Sequence, residues 1–135
     1  MIRVYVAASS APPERDRARR VMAALRMAGA VVTSTWVEAI EADGGRTNEG
    51  LSRSERLGKA WTCEREIESS GVLLLLVPPA PSGIGCGYEM GYARALGLPV
   101  IAAGDTERTV FAATVEEHRS DLDAIAAVLR MAGER

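Results

Sequence analysis

The stretch GIGCGYEMGYARALGLPVI, residues 83–101, combines a glycine-rich loop, a helical pattern and an apolar strand. The glycines at 83, 85 and 87 lead into a helix predicted over 87–97, and a strand is predicted over 98–104. Glu89 lies where this helix is expected to begin. An acidic residue in the first turn of a helix gains about 0.3–1 kcal/mol from the helix dipole. Glu89 therefore has two interpretations, a helix-start residue or a reactive carboxylate.

Strand and helix patterns alternate on both sides of this stretch. The unbroken apolar run GVLLLLV at 71–77 is typical of a strand that is covered on both faces. The alternation predicts a flavodoxin-like three-layer α/β/α fold with a five-stranded parallel sheet in the order 2-1-3-4-5. The predicted strands are 2–9, 30–36, 71–77, 98–104 and a weak edge strand at 114–118; the predicted helices are 12–29, 54–70, 87–97 and 120–133, with a helical turn at 107–113. The polar segment 37–54 is predicted to be a long loop, either a lid or disordered.

Composition limits the classes of function. The chain has 135 residues, so one domain over 1–135 is expected, and its net charge of −2 gives no reason to expect nucleic acid or a membrane as partner. Two cysteines and one histidine do not suffice for a metal cage, and neither metal nor organic cofactor is expected. The first residues do not resemble a signal peptide, and the longest apolar run falls short of the roughly 20 residues of a membrane span. A cytoplasmic protein is therefore predicted.

In sheets of the predicted kind, ligands bind outside the carboxyl ends of the strands, near the switch in strand order. Ser9 and Ser10 follow the first predicted strand, Trp36 ends the second, and the loop that leads to Glu89 follows the third. The helix before the third strand is expected to place Trp61, Cys63 and Glu64 near the same edge. The sequence thus predicts a binding site at this edge of the sheet.

Each of these positions also has a structural interpretation. Ser9 and Ser10 are equally suited to capping the helix that begins near Pro12. Tyr5 fits an ordinary strand position, Trp61 fits the core, and the segment ERDRARR (14–20) fits the solvated face of a helix. His118 is expected to be structural, and Ser120 or Asp121 is expected to cap the last helix.

The segment GCGYEMGYARALGLPVI (85–101) resembles the signature of the nucleoside 2-deoxyribosyltransferase superfamily, in which a Glu-x-Gly-x-Ala helix start follows a glycine-rich loop. The form Gly-x-Gly-Tyr-Glu-aliphatic-Gly is most similar to the 2′-deoxynucleoside 5′-phosphate N-hydrolase branch. The resemblance extends over residues 2–104. It implies that Glu89 attacks the anomeric carbon of a nucleoside or nucleotide, that Tyr5 orients Glu89, and that Ser9 contacts the sugar or phosphate. It also implies a homo-oligomer, because relatives form dimers in which neighbouring subunits complete the site.

The sequence departs from the family pattern at three places. The aspartate that the family carries before the third strand falls on Cys63, so either Glu64 or Glu66 takes over its role or the leaving base is activated differently. The aspartate of the transferases falls on Gly83, with Ser82 beside it, which favours the phosphate-binding branch. The arginine of that branch falls on Ala11, and Arg15 is near enough in sequence to meet the same anion.

The leading hypothesis is an N-glycosidase that hydrolyses a (deoxy)nucleoside or its 5′-monophosphate. The alternatives are a deoxyribosyltransferase, an enzyme that cleaves NAD, and a nucleotide-binding module without catalysis. The predicted catalytic residues are Glu89, Tyr5 and Glu64; the predicted substrate-binding residues are Ser9, Ser10, Arg15, Trp36, Cys63, Ser82, Gly83, Gly85 and Gly87.

Overall fold

A computed structural model describes residues 1–78, 83–108 and 110–133 of the chain, except for the side chain of Arg108. The strands form one parallel sheet in the order β2-β1-β3-β4-β5, which confirms the predicted fold class and strand order. The strands are β1 (Arg3–Ala7), β2 (Val31–Val32), β3 (Val72–Leu76), β4 (Val100–Ala103) and β5 (Glu116–His118). The helices are α1 (Pro12–Met27), α2 (Trp36–Ala42), α3 (Arg53–Glu68), α4 (Ile84–Ala95) and α5 (Asp121–Gly133), with short 3-10 turns at Asn48–Gly50, Thr106–Arg108 and Val110–Thr114.

The central strand β3 is buried along its whole length and separates two apolar clusters. Leu74 and Leu76 point into the first cluster, which α1 and α5 cover, and Leu73 and Leu75 point into the second. The second cluster is covered by α3 and α4 and includes Tyr5 at 0% exposure. Apolar residues on both faces of the strand therefore require helices on both sides of the sheet. None of the described helices is long and apolar enough to cross a membrane.

The second strand is much shorter than the predicted range 30–36, because side chains replace its backbone at the edge of β1. The Ser34 hydroxyl accepts a hydrogen bond from the Val6 backbone N–H at 3.1 Å. The Trp36 indole N–H donates to the Val6 carbonyl at 2.8 Å. Both backbone groups of Val6 are thereby satisfied without a partner in β2, and the chain is free to turn into α2.

The prediction of a structureless loop over 37–54 is wrong for its first part. Helix α2 begins at Trp36 and buries Val37 and Ile40, two residues at helical spacing. Farther on, the Arg46 side chain donates to Asp43 and to the carbonyl of Gly50, which ties the connection into a compact turn. Only two buried apolar residues mark this helix, so the polar composition of the segment concealed it.

Helix α4 begins at Ile84, earlier than the predicted start at residue 87. Gly83 caps it with φ at +113°, and a Cβ there would approach the Pro78 ring at 2.9 Å, so glycine is required at this turn. Glu89 is consequently the sixth residue of the helix, and the first turn contains no acidic residue. The helix-start interpretation of Glu89 is therefore wrong.

Arg17 joins the two strands β3 and β4 to helices α1 and α5. Its guanidinium donates to the Val77 carbonyl at 2.9 Å and to the Ala103 carbonyl at 3.0 Å. It also forms a two-pronged ion pair with Asp121, the closest contact being 2.7 Å. The interpretation of segment 14–20 as a solvated helix face is thus wrong for Arg17, whose side chain is only 18% exposed.

Replacing Arg17 by methionine is expected to lower the free energy of unfolding by about 2–4 kcal/mol, because two carbonyls and the Asp121 carboxylate lose their donor. Urea denaturation followed by circular dichroism measures this difference. Arg19→Met is the matched control, since Arg19 is half exposed and pairs only with surface acids. A loss no larger than that of the control would show that the Arg17 contacts do not stabilise the fold.

Candidate active site

The Tyr5 hydroxyl donates a short hydrogen bond to the Glu89 carboxylate, at the centre of the candidate site. Tyr5 is fully buried in the middle of β1, where it pairs with Leu73 of β3. Glu89 reaches it from the second turn of α4 and remains only partly exposed. Two of the three predicted catalytic residues are thus in direct contact, although the sequence separates them by 84 positions.

This environment raises the pKa of the Glu89 carboxyl group. Burial raises the pKa of Glu89 to about 7; the hydrogen bond from Tyr5 lowers it, and the negative charge of Glu66 raises it. Burial and the neighbouring Glu89 charge raise the pKa of Tyr5 far above its ordinary value. Tyr5 therefore keeps its proton and serves as a permanent hydrogen-bond donor to the carboxylate.

Cys63 adjoins this pair from helix α3. Its side chain packs against the second apolar cluster, and burial raises the pKa of its thiol to about 11. A hydrogen bond with Tyr5 lowers that pKa, whereas the charges of Glu89 and Glu66 raise it. The thiol is accordingly neutral at physiological pH and cannot supply the negative charge of a carboxylate.

The two acidic neighbours of Cys63 point to different places. Glu64 accepts a hydrogen bond from the Tyr88 hydroxyl at 2.9 Å and lines an open depression between α3 and α4. Glu66 accepts from the backbone N–H of Thr35 at 3.1 Å and from its hydroxyl at 2.6 Å. Its charge acts on both Glu89 and Cys63. The structure therefore brings Glu66, and not the predicted Glu64, into the electrostatic surroundings of Glu89.

A cavity of about 460 Å³ lies next to the end of β1 and brings together Ser9, Ser10 and Arg15. Gly45 and Thr47, from the segment between α2 and α3, complete its lining. The serines are not the cap residue of α1, which is Ala11, and the Ala11 side chain makes no capping bond. Instead the Ser9 hydroxyl accepts from the Ala11 N–H at 3.3 Å. The sequence analysis did not predict that Gly45 and Thr47 line this cavity, because no motif distinguishes them within a polar, glycine-containing segment.

Trp36 begins α2, and its ring packs against both apolar clusters while the indole N–H is bound to β1. Gly85 and Gly87 belong to the first turns of α4, and a Cβ at either position would meet nothing within 4 Å. Gly85, four positions before Glu89, therefore leaves bare backbone on the side of α4 that carries Glu89. Ser82, the remaining predicted binding residue, lies outside the described residues.

Glu14 is a further partly buried acid, which the sequence analysis placed on a solvated helix face. Its side chain is 13% exposed and pairs with Arg17 at 3.4 Å. Its charge adds to the effect of burial and of Glu89, which together raise the pKa of Cys86 to about 12. Among the described residues, no group of three or more histidine, cysteine, aspartate or glutamate side chains could hold a metal ion.

Solved structures with the same fold cover nearly the whole chain. A conserved protein from Enterococcus faecalis V583 has a TM-score of 0.70 at 13% identity, covering 97% of this chain and 99% of that one. The 2-deoxyribosyltransferase of Bacillus psychrosaccharolyticus has a TM-score of 0.68 at 16% identity, covering 93% and 95%. The CMP N-glycosidase BcmB of Clostridium botulinum has a TM-score of 0.58 at 17% identity, covering 93% and 97%. At these identities the likeness establishes the fold.

No protein of curated function matches the sequence significantly. A family model described as nucleoside 2-deoxyribosyltransferase matches residues 4–125. The match extends from β1 into α5 and includes both Tyr5 and Glu89. It covers far more than the signature around Glu89. The chain therefore belongs to the nucleoside 2-deoxyribosyltransferase family.

Proposed function

We propose that the protein is a cytoplasmic N-glycosidase that hydrolyses the N-glycosidic bond of a (deoxy)nucleoside or its 5′-monophosphate, with Glu89 as nucleophile. The observation that carries this proposal is the hydrogen bond from Tyr5 to a half-buried Glu89 at the carboxyl edge of the sheet. A carboxylate with a pKa of about 7 is rare outside functional sites. Family membership supplies the class of substrate.

In the proposed reaction, the ionised Glu89 attacks the anomeric carbon while the base departs with the electron pair of the glycosidic bond. The Tyr5 hydroxyl stays bonded to the carboxylate and fixes its orientation. The product of this step is a glycosyl ester of Glu89 and a base that takes up a proton. Water then attacks the anomeric carbon and releases the sugar, which restores the carboxylate.

A 5′-phosphate fits the cavity beside β1. Hydroxyl groups of Ser9 and Ser10 and the guanidinium of Arg15 line this cavity together with the beginning of α1. Hydroxyls and a cation are groups that proteins use to hold phosphate. The bare backbone of Gly85, which shares a helix face with Glu89, leaves room for the sugar to approach the carboxylate. These features support a nucleoside monophosphate as substrate.

Two other functions remain as candidates. Gly83 stands where the transferases carry an aspartate, which supports hydrolysis over transfer to a second base. Cys63 favours a nucleotide-binding module without catalysis, because its thiol has a pKa of about 11 and cannot replace the family aspartate. Turnover measurements distinguish all three functions.

A homo-oligomer is part of the proposal, and the outer face of α3 and α4 supports it. Of the 16 residues of α3, only Ile67 is buried. The same face presents Trp61 at 51% exposure and Tyr88 at 59%. Large aromatic side chains that remain exposed on adjacent helices are typical of protein interfaces. We therefore propose that this face contacts a second copy of the chain.

Wild-type protein is expected to release free base from one member of a panel of ribo- and deoxyribonucleosides, their 5′-monophosphates and NAD. Glu89→Gln should lower this rate by about 1000-fold or more, since the amide cannot form the glycosyl ester. Chromatography of the free base measures the rate. Glu38→Gln, a surface acid paired with Arg26, is the matched control and should retain full activity. Turnover by Glu89→Gln at the wild-type rate would exclude Glu89 as nucleophile, and binding without turnover by the wild type would favour the non-catalytic module.

Glu89→Gln is also expected to stabilise the fold in a pH-dependent manner. The folded pKa of about 7 lies above the unfolded value of 4.5, so wild-type stability falls as the pH rises between them. Glutamine does not ionise, so the variant should gain about 2–3 kcal/mol over wild type between pH 5 and pH 8. Thermal denaturation of both proteins at the two pH values tests this. An equal pH dependence in both would show that Glu89 is not held in a desolvated state.

The proposed oligomer predicts a particle mass at least twice the 14.4 kDa of the chain in sedimentation equilibrium. Trp61→Glu should shift the equilibrium to monomer, because it places a charge in the centre of the proposed contact. Met27→Glu is the control, since Met27 is 90% exposed at the end of α1. A monomeric wild type would refute this part of the proposal without affecting the assignment of Glu89.

A further inference from the structure

We propose that Arg46 is a positioning residue for the cavity beside β1, and that its side-chain bonds hold the α2–α3 connection (residues 43–52) as a preformed wall for an anionic group. This role rests on the proposed function, in which a phosphate group occupies the cavity. Arg46 itself does not line the cavity, but both of its neighbours in sequence do.

The two walls of the cavity differ in what holds them. Ser9 and Ser10 follow the central strand β1, and Arg15 belongs to α1, so regular secondary structure fixes the first wall. Gly45 and Thr47 form the second wall and belong to the α2–α3 connection, which contains only a short 3-10 turn. The position of the second wall must therefore come from contacts other than a helix or strand ladder.

The backbone of this second wall is costly to keep in one conformation. Gly44 and Gly45 are adjacent and both have positive φ, at +69° and +82°. Glycine loses more conformational freedom on ordering than any other residue. The Gly45 N–H is anchored to the Ile40 carbonyl of α2 at 2.8 Å, and Leu51, at 6% exposure, anchors the far end of the connection. The residues between these two anchors need a further restraint.

The Arg46 guanidinium supplies this restraint. It donates to the Asp43 carboxylate at 2.6 Å, to the Gly50 carbonyl at 3.2 Å and to the Glu55 carboxylate at 3.2 Å. These acceptors lie at the end of α2, within the connection and in the first turn of α3. The four residues, called the Arg46 clasp below, thus join two helices across the part of the connection that lines the cavity.

Glu55 is a fixed end point for the clasp. One of its carboxylate oxygens accepts from the Ser52 N–H at 3.1 Å, and its own N–H donates to the Ser52 hydroxyl at 3.1 Å. This reciprocal pair is the capping box that begins α3. The other oxygen of Glu55 accepts from Arg46. The start of α3 therefore determines where the guanidinium lies.

A wall that is already ordered lowers the free-energy cost of binding, because the loop does not have to be immobilised when the ligand arrives. The Arg46 side chain is 46% exposed, and exposed ion pairs contribute little to the stability of a fold. The Arg46 clasp is accordingly expected to affect the affinity for an anion much more than the stability of the protein.

The clasp can be distinguished from a simple effect of charge. If Arg46 only attracted the anion through its charge, removing the negative charge of Asp43 would strengthen anion binding. If the clasp positions the wall, removing Asp43 weakens binding, because Arg46 loses its closest acceptor. The two roles thus predict opposite effects of the same substitution.

The test measures binding of inorganic phosphate to the full chain, from the phosphate dependence of the thermal unfolding midpoint at constant ionic strength. Arg46→Gln should weaken binding by about three- to ten-fold, with a midpoint in phosphate-free buffer close to that of wild type. Asp43→Asn should weaken binding by about two- to five-fold. Arg46→Lys should also weaken it, since an ammonium keeps the charge but lacks the planar fork that reaches several acceptors.

Arg19→Gln is the matched control, because Arg19 has a similar exposure of 49% and pairs with Asp16 and Glu41 outside the connection. It should bind phosphate as wild type does. Binding by Arg46→Gln as tight as that of the control would overturn the inference. Unchanged or tighter binding by Asp43→Asn would overturn it as well and leave only a charge effect.

The kinetic measurement separates this inference from the proposed function. If a nucleoside 5′-monophosphate releases base, Arg46→Gln should raise its KM by the same factor and leave the KM of the corresponding nucleoside unchanged; an equal rise for both would contradict the clasp. Phosphate binding that weakens as expected, without base release from any substrate, would support the clasp and refute the proposed hydrolysis. Base release by a wild type that does not bind phosphate would overturn the clasp and leave the role of Glu89 intact.

Discussion

The hydrogen bond between Tyr5 and Glu89 is the constraint on which the arrangement of this protein depends. Burying a carboxylate costs free energy unless a hydrogen-bond donor replaces the water that it loses. For Glu89 that donor must come from a strand or helix that packs against α4. Tyr5 provides the donor from the inside of the sheet, because β1 lies between β2 and β3. Helix α4 must then begin early, at Ile84, so that Glu89 falls in its second turn above the sheet and not at its tip.

The environments of three partly buried acids differ in whether a cation is present. Asp121 and Glu14 are paired with Arg17, and their charges are neutralised where they contribute to the fold. Glu89 is surrounded by a phenol and two thiols and receives only one hydrogen bond, from Tyr5, among the described contacts. The first arrangement stabilises the ionised form, whereas the second holds a carboxyl group between its two states near neutral pH. Such contrasts within one fold distinguish structural acids from functional ones.

The sequence predicted the sheet order, because alternating apolar strands and helices permit few topologies. The approach of Tyr5 to Glu89 was implied by the resemblance to the family. The sequence did not predict the short β2, because side chains form the hydrogen bonds that strand backbone would otherwise make. Ser34 and Trp36 satisfy Val6 in place of a longer β2, and two apolar residues suffice for α2, so neither feature left a pattern in the composition. The position of Glu66 was equally hidden, since the bonds to Thr35 join residues 31 positions apart.

Arg17 carries a consequence for how the chain acquires its structure during synthesis. The ion pair that it forms with Asp121 spans 104 positions, so it closes only after α5 has been made. Until then Arg17 can bond to Glu14 and to the carbonyls of Val77 and Ala103, but α5 is not yet tied to α1 by the ion pair with Asp121. Contacts of such long range form late, because a large loop must be closed before they contribute. A nascent chain can thus build β1, β3 and α4 around Glu89, whereas the contact that ties α1 to α5 forms only when the last helix has been synthesised.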